Sequence, residues 1–338
     1  MSNVPDIAAG AEPRASVQHL KVDAEHQGQR LDKVLGRLLD GVPRTRIFRL
    51  IRRGEVRVNG KRASPEQRLA VGDVLRLPPV RAAVAPTEPR VPASLMAALE
   101  GAIIHEDDRL LVIDKPSGVA VHGGSGLSFG VIEALRASRP GETLELAHRL
   151  DRDTSGLLLV ARRPSALRDL HALLREGSVQ KNYLVLVAGR WQLGHKRIDA
   201  PLRTDLRVGG ERTVRVHASG KAALTEFKPI DGFGARATLL EATLHTGRTH
   251  QIRVHAAHCG HPVALDEKYG DEHANAKFRE AGLTRMFLHA HSCSFTWPNG
   301  GKEQSFNSPL PPALKAALDA LGGRTDRRPG RSRGPKES

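Results

Sequence analysis

From Gly156 to Ala161 the chain reads Gly-Leu-Leu-Leu-Val-Ala, directly behind Ala147-His148-Arg149-Leu150-Asp151-Arg152-Asp153-Thr154-Ser155. An unbroken apolar run of this length reads as a buried strand. The charged residues abutting it are held in place and partly desolvated, which is where carboxylates acquire unusual reactivity. The same residues would equally serve a plain loop leading into a strand, with Asp153 and Ser155 as turn formers. The rest of the chain decides between the two.

At 338 residues there is room for two domains, each with its own core. A hydrophobic content of 39% and the lack of a long apolar run fit a soluble protein. The opening residues lack the basic-then-apolar order of a secretory leader. The two cysteines, Cys259 and Cys293, lie far apart, which suits a reducing cytoplasm and rules out a CxxC zinc pair. Against 37 acids stand 52 lysines and arginines, a net charge of +15, which predicts a polyanionic partner, nucleic acid first. A membrane surface is disfavoured, because the basic residues are not carried on a helix with a large apolar face. Aromatics at 4% argue against a broad base-stacking platform.

In chain order, residues 1–19 lack periodicity and read as a disordered tail. Residues 20–80 read as a compact module. Leu31, Val34, Leu35, Leu38 and Leu39 give one helix face, and Pro43 is placed to open a second helix. That helix buries Ile47, Leu50 and Ile51 and crowds Arg44, Arg46, Arg49, Arg52 and Arg53 together. Gly54 ends it, and Glu55 to Val58 runs as a strand into the hairpin signal Asn59-Gly60. Arginines this dense without matching acids favour a phosphate-binding surface. Gln29-Arg30-Leu31-Asp32, Arg44 to Ile51 and Arg53 to Gly60 resemble an S4 RNA-binding domain, which implies structured RNA as the partner. Residues 81–98, rich in Pro, Ala and Val, read as a linker. Residues 99–322 form the second domain, and the basic stretch 323–338 reads as a disordered tail.

In the second domain, Lys115-Pro116-Ser117-Gly118 is a turn, and the loop Gly123 to Gly126 lacks the spacing of a nucleotide-binding loop. Pro164 opens a helix that Gly177 stops. Lys181 to Val187 is a strand in which Tyr183, taken alone, is an ordinary half-buried residue. Arg203, Arg207, Arg212, Arg215 and Lys221 lie where they would touch phosphates. His255, His258 and His261 invite a metal hypothesis, but no HExxH or Cys2His2 spacing accompanies them, so no metal is expected. A hydrolase triad of Ser155, His148 and Asp151 lacks a GxSxG elbow and would lie in one short loop. What remains is a reaction on RNA needing one positioned carboxylate.

His148-Arg149-Leu150-Asp151 with Asp153-Thr154-Ser155-Gly156 resembles the signature of the RluA family of pseudouridine synthases. Lys115 to Gly118, Lys181-Asn182-Tyr183 and Gly247 to His255 match that family's other motifs in order. The resemblance implies an α+β protein: an N-terminal S4 domain and a pseudouridine synthase domain with a mixed, mainly antiparallel central sheet. It implies isomerisation of uridines in 23S ribosomal RNA by a cytoplasmic monomer, with no cofactor, metal or small-molecule cosubstrate. By the same resemblance Asp151 is the catalytic carboxylate, Arg253 its partner, and Tyr183 the residue that stacks on uracil. Arg149 would fill the stack vacated by the flipped base. Arg248 and His250 would contact RNA, Leu288 and His289 would line the pocket, and Asp153 would only shape the turn. The rival readings are a noncatalytic RNA-binding protein keeping the same fold, and a metal-dependent RNA hydrolase.

Overall fold

The computed structural model describes residues 16–39, 42, 44–79, 91–123, 129–206 and 212–322. Pro43, Gly124 to Gly126, Arg207, residues 81–90 of the expected linker, residues 1–15 and residues 323–338 lie outside the described residues. The chain divides into two units, Met1–Arg90 and Val91–Ser338.

The first unit contains β1 (Gln18–Lys21), α1 (Leu31–Leu38), α2 (Arg44–Arg53), β2 (Arg57–Val58), β3 (Lys61–Arg62) and β4 (Val74–Leu77). Its sheet has the order β1-β4-β2-β3, antiparallel throughout. The two helices bury Leu31, Val34, Leu35, Ile47, Leu50 and Ile51 against Val56, Val58, Leu75 and Leu77. Each such aliphatic contributes about 1.5–3 kcal/mol on burial. Asn59 and Gly60 both adopt positive φ, 51° and 75°, as a two-residue hairpin turn between β2 and β3 requires. The tail expected over residues 1–19 must be shortened, because Gln18 and His19 already belong to β1. The pairing Gln18↔Leu77 and the burial of Leu20 hold that strand, whose four residues are too few for a visible alternation.

The second unit opens with α3 (Ala93–Glu100), β5 (Ile103–Glu106), β6 (Leu110–Lys115), α4 (Val131–Ser138), β7 (Glu145–Leu146), β8 (Ser155–Ala161) and α5 (Pro164–Glu176). It continues with β9 (Gln180–Ala188), β10 (Lys196–Asp199), β11 (Leu202–Leu206), β12 (Arg212–Val216), β13 (Leu224–Phe233) and β14 (Ala237–Leu244). Last come α6 (Gln251–His258), α7 (Glu272–Glu280), β15 (Leu288–Thr296), β16 (Glu303–Asn307) and α8 (Pro312–Ala320). The linker reading fails over its second half: α3 buries Leu99 and packs Leu95 and Met96 on the core of this unit.

Among the described residues the main sheet has ten strands in the order β10-β13-β14-β9-β15-β8-β6-β5, with β16 on β15 and β7 on β8. Every pairing is antiparallel except β8 with β15, so the sheet is mixed and mainly antiparallel. All seven residues of β8 are buried, which explains the unbroken apolar run. Gly156 pairs with Ala290 at the parallel seam, with φ of 105°, and a Cβ there would lie 2.3 Å from the Ala290 carbonyl oxygen. Only glycine lets the two backbones approach so closely. Gly156→Ala should therefore lose stability by at least roughly 1–3 kcal/mol from backbone strain alone. Urea denaturation measures this, and an unchanged midpoint would mean that β8 can move away from β15.

Candidate active site

Asp151 precedes β8 by four residues, on a loop gripped from below by the turn after β6. Lys115 is fully buried at the end of that strand, and its Nζ donates to the carbonyls of Pro116 (2.8 Å), Val119 (2.8 Å) and Arg152 (3.0 Å). Three acceptors take all three ammonium protons, although burial pushes the Lys115 pKa down to about 7. The Gly118 N–H donates to the same Arg152 carbonyl at 2.9 Å, and the Ser117 hydroxyl donates to the Asp153 carbonyl at 2.7 Å. The loop's backbone is thus anchored at Arg152 and Asp153. His148 braces its start: Nε2 accepts from the Leu159 N–H at 3.1 Å. Burial, with Lys181 nearby, pushes the His148 pKa down to about 4, so the ring is a neutral acceptor.

The Asp151 carboxylate accepts from Arg253 Nη1 at 3.2 Å. Arg253 sits in the first turns of α6 and is held by a second carboxylate, Asp266. Its Nε and Nη2 donate to the two oxygens of Asp266 at 2.7 and 2.8 Å, a bidentate pair that fixes the guanidinium plane. The Asp266 side chain is 0% exposed against 17% for Asp151, so one carboxylate is buried in the scaffold and the other faces the cleft. Backbone N–H groups of Lys268 and Tyr269 also donate to Asp266. Burial opposes the charge on each partner. It is outweighed in both: Asp266 stays below the usual carboxylate range, and Arg253 is held above its ordinary value.

His250 caps the start of α6 in a left-handed conformation, φ 53°. Tyr269 bridges two elements there. Its hydroxyl accepts from the Val214 N–H at 3.0 Å and is hydrogen-bonded to His250 Nδ1, 2.8 Å away. The other ring nitrogen of His250, Nε2, faces Asp151 Oδ2 at 3.9 Å, and burial lowers the pKa of this histidine. Gln251 ties the preceding loop down: its side-chain oxygen accepts from Thr246 and from the Arg248 N–H, and its amide donates to Leu224 and Thr225.

These residues surround a cleft of about 460 Å³ lined by Asp151, Arg253, Tyr183, Arg149, Arg248, His250 and Leu288, among others. Seven residues named from sequence, spread over three separate motifs and β15, therefore meet in one place. Asp151 is the only carboxylate among the described lining residues. Tyr183 is 6% exposed and burial pushes its phenol pKa up. Arg149 and Arg248 are exposed at the rim.

His289 is a correction. It lies outside the cleft, fully buried, with Nδ1 3.0 Å from Ser155 Oγ and Nε2 beside Ser308. Neighbours on a strand face opposite sides of the sheet, so Leu288 and His289 cannot both point into one pocket. The same contact removes the serine hydrolase: Ser155 is 2% exposed and bonded to His289 and Arg285. His255 is likewise occupied by Thr225 and the Ala200 carbonyl, and His261 by the Ala188 carbonyl. No cluster of three possible metal ligands occurs among the described residues. Arg203 and Arg215, expected at phosphates, both pair with Asp205.

The roles of two structural residues, Asp266 and Lys115, escaped the sequence reading, although Lys115 opens one of the matched motifs. Each stands in a short charged stretch behind an apolar run: Asp266-Glu267-Lys268 behind Val263 to Leu265, and Asp114-Lys115 behind Leu110 to Ile113. Such a stretch is shared with ordinary loop entries and does not show which charge is buried or what it holds.

A family model described as RNA pseudouridylate synthase matches residues 109–258, and an S4 domain model matches residues 29–75. Ribosomal large subunit pseudouridine synthase C of Escherichia coli strain K12 is 51% identical over 310 residues, 90% of this chain and 97% of that protein. The protein of the same name from Yersinia pestis is 53% identical over 308 residues, 90% of this chain and 96% of that protein. Among solved structures, human RNA pseudouridylate synthase domain containing 1 is 28% identical with a TM-score of 0.53, covering 64% of this chain and 86% of that one. Human RNA pseudouridylate synthase domain containing 4 shares the fold, with a TM-score of 0.56 at 23% identity over 69% of this chain and 97% of that one.

Proposed function

Because the chain belongs to the RNA pseudouridylate synthase family, we propose that it converts specific uridines of large-subunit (23S) ribosomal RNA to pseudouridine, with Asp151 as the catalytic carboxylate. The observation that carries this reading is one cleft carboxylate, the only one among the described lining residues, anchored by backbone contacts and paired with an arginine that a buried second carboxylate holds in plane. Its relatives' names give the large ribosomal subunit as the substrate's source. In the reaction the N1–C1′ bond breaks, the freed uracil turns, a C5–C1′ bond forms, and the proton on C5 leaves as one is taken up at nitrogen. Asp151 acts either by attack at C1′ or by removal of the 2′ proton, and each route requires its ionised form beside the ribose. Arg253 donates to that carboxylate at 3.2 Å. Tyr183 packs on the uracil and assists loss of the C5 proton.

A base inside folded RNA has to be flipped out to reach this cleft, and Arg149 at its rim is suited to fill the gap. His250 and Arg248 supply further contacts. The first unit provides affinity and the second the chemistry, and all the named residues come from one chain, so a monomer suffices. A ribosomal RNA substrate supports a cytoplasmic location, and among the described residues no helix is long and apolar enough to cross a membrane.

Arg49, Arg52 and Arg53 on α2 are exposed, Arg46 is half-buried, and no acid pairs with any of them among the described residues; Arg44 opens the same helix. Removing Arg49 and Arg52 should weaken RNA binding and flatten the logarithmic salt dependence by about 1 per arginine lost. Binding titrations at several salt concentrations check this, and an unchanged slope would take α2 off the interface. The functional reading itself is tested by mapping pseudouridines in ribosomal RNA from cells with and without this gene. Sites missing without the gene support it; identical maps would end it. Insensitivity to chelator and an unshortened RNA separate isomerisation from metal-dependent hydrolysis.

A further inference from the structure

Lys181 lies on β9 two residues before Tyr183, and both line the cleft. Residues two apart on a strand share a face, so the lysine and the tyrosine present to the same space. Lys181 is half-buried, yet among the described residues its ammonium makes no hydrogen bond and no ion pair. Across the sheet its partner in register is Cys293, whose buried thiol is pushed up to about 12 and offers no negative charge. Nearby His148 is neutral and already bonded. Asp151, the only carboxylate among the described lining residues, is taken by Arg253. The cation is therefore partly stripped of water with nothing from the protein in exchange, a cost that an incoming anion removes. His171 and Arg175, one turn apart on α5, line the same cleft and stay exposed.

We propose that Lys181, with Arg175 at the rim, binds a backbone phosphate of the RNA strand next to the uridine being isomerised. This rests on the RNA reading above. A flipped nucleotide brings its flanking phosphates to the mouth of the pocket, and a compact ammonium suits a phosphate oxygen as a point charge. A uracil carbonyl is the competing acceptor, but it would leave the charge of Lys181 unmatched.

The test measures binding of a large-subunit ribosomal RNA transcript to the Asp151→Asn protein, with and without Lys181→Met, over a range of salt. The expected result is a roughly tenfold rise in Kd. The logarithmic salt slope should flatten by about 0.7–0.9. Lys181→Arg should keep the slope, and Arg175→Ala, a change on an exposed helix face, should flatten it as well. With Asp151 intact, Lys181→Met should raise KM and leave kcat within a few-fold. An unchanged slope, or a fall in kcat at constant KM, would overturn the assignment and place Lys181 at the base. Failure of the unaltered protein to modify the transcript would strike the functional reading instead, and the binding result would still report on Lys181.

Discussion

Arg253→Met is expected to remove about 3–5 kcal/mol of folding stability at neutral pH and to abolish pseudouridine formation. The guanidinium serves two carboxylates, and methionine leaves both without a cation. Asp151 can turn to water, being partly exposed, but Asp266 cannot, since its side chain is 0% exposed. Among the described residues it would keep the backbone donors at Lys268 and Tyr269. The loss has a definite pH dependence. With Arg253 present, the folded state holds Asp266 below its unfolded pKa, so this contribution exists above the ordinary aspartate range and disappears as pH falls through the lower folded value. Without Arg253, burial reverses the shift, and a raised folded pKa means stability kept at low pH and lost as pH rises. The difference between the two proteins should therefore be largest near neutrality and shrink below about pH 4. Urea denaturation at several pH values measures it. A difference independent of pH would mean that Asp266 is not held by Arg253.

The residues proposed to meet substrate were the most legible in the sequence. Asp151, Tyr183 and Arg253 stand in short motifs whose order and composition point to one another, and the cleft brings all three together. The residues that hold them were much less so. Lys115 grips the loop of Asp151 through three carbonyls, and Asp266 fixes Arg253, but neither role exists until distant segments pack. A charged residue behind an apolar run carries no mark of its future partner. His289 was misplaced for a different reason. Leu288 and His289 were both expected to line the pocket, when strand alternation already separates them. In the fold, the β8 strand and the Asn59-Gly60 hairpin followed from local pattern. By contrast β1 and α3 were hidden by brevity and by weak polarity: α3 runs Ala-Ser-Leu-Met-Ala-Ala-Leu-Glu, and its place on the core is set by Leu99.

Asp151→Asn should fold and bind RNA like the unaltered protein while losing activity by on the order of 10⁴-fold or more. Asparagine keeps the shape of the side chain. The charge removed is partly exposed, and Arg253 keeps its bidentate hold on Asp266, so stability should shift by less than about 1 kcal/mol. What disappears is the only carboxylate among the described lining residues, the group proposed to attack C1′ or take the 2′ proton. The anchored loop around it, from Lys115 to Arg253, remains in place. The most direct measurement incubates each protein with an unmodified large-subunit ribosomal RNA transcript and maps pseudouridine by carbodiimide labelling and primer extension. The account predicts discrete stops at particular uridines with the unaltered protein and none with Asp151→Asn. Stops of equal strength with both would contradict it.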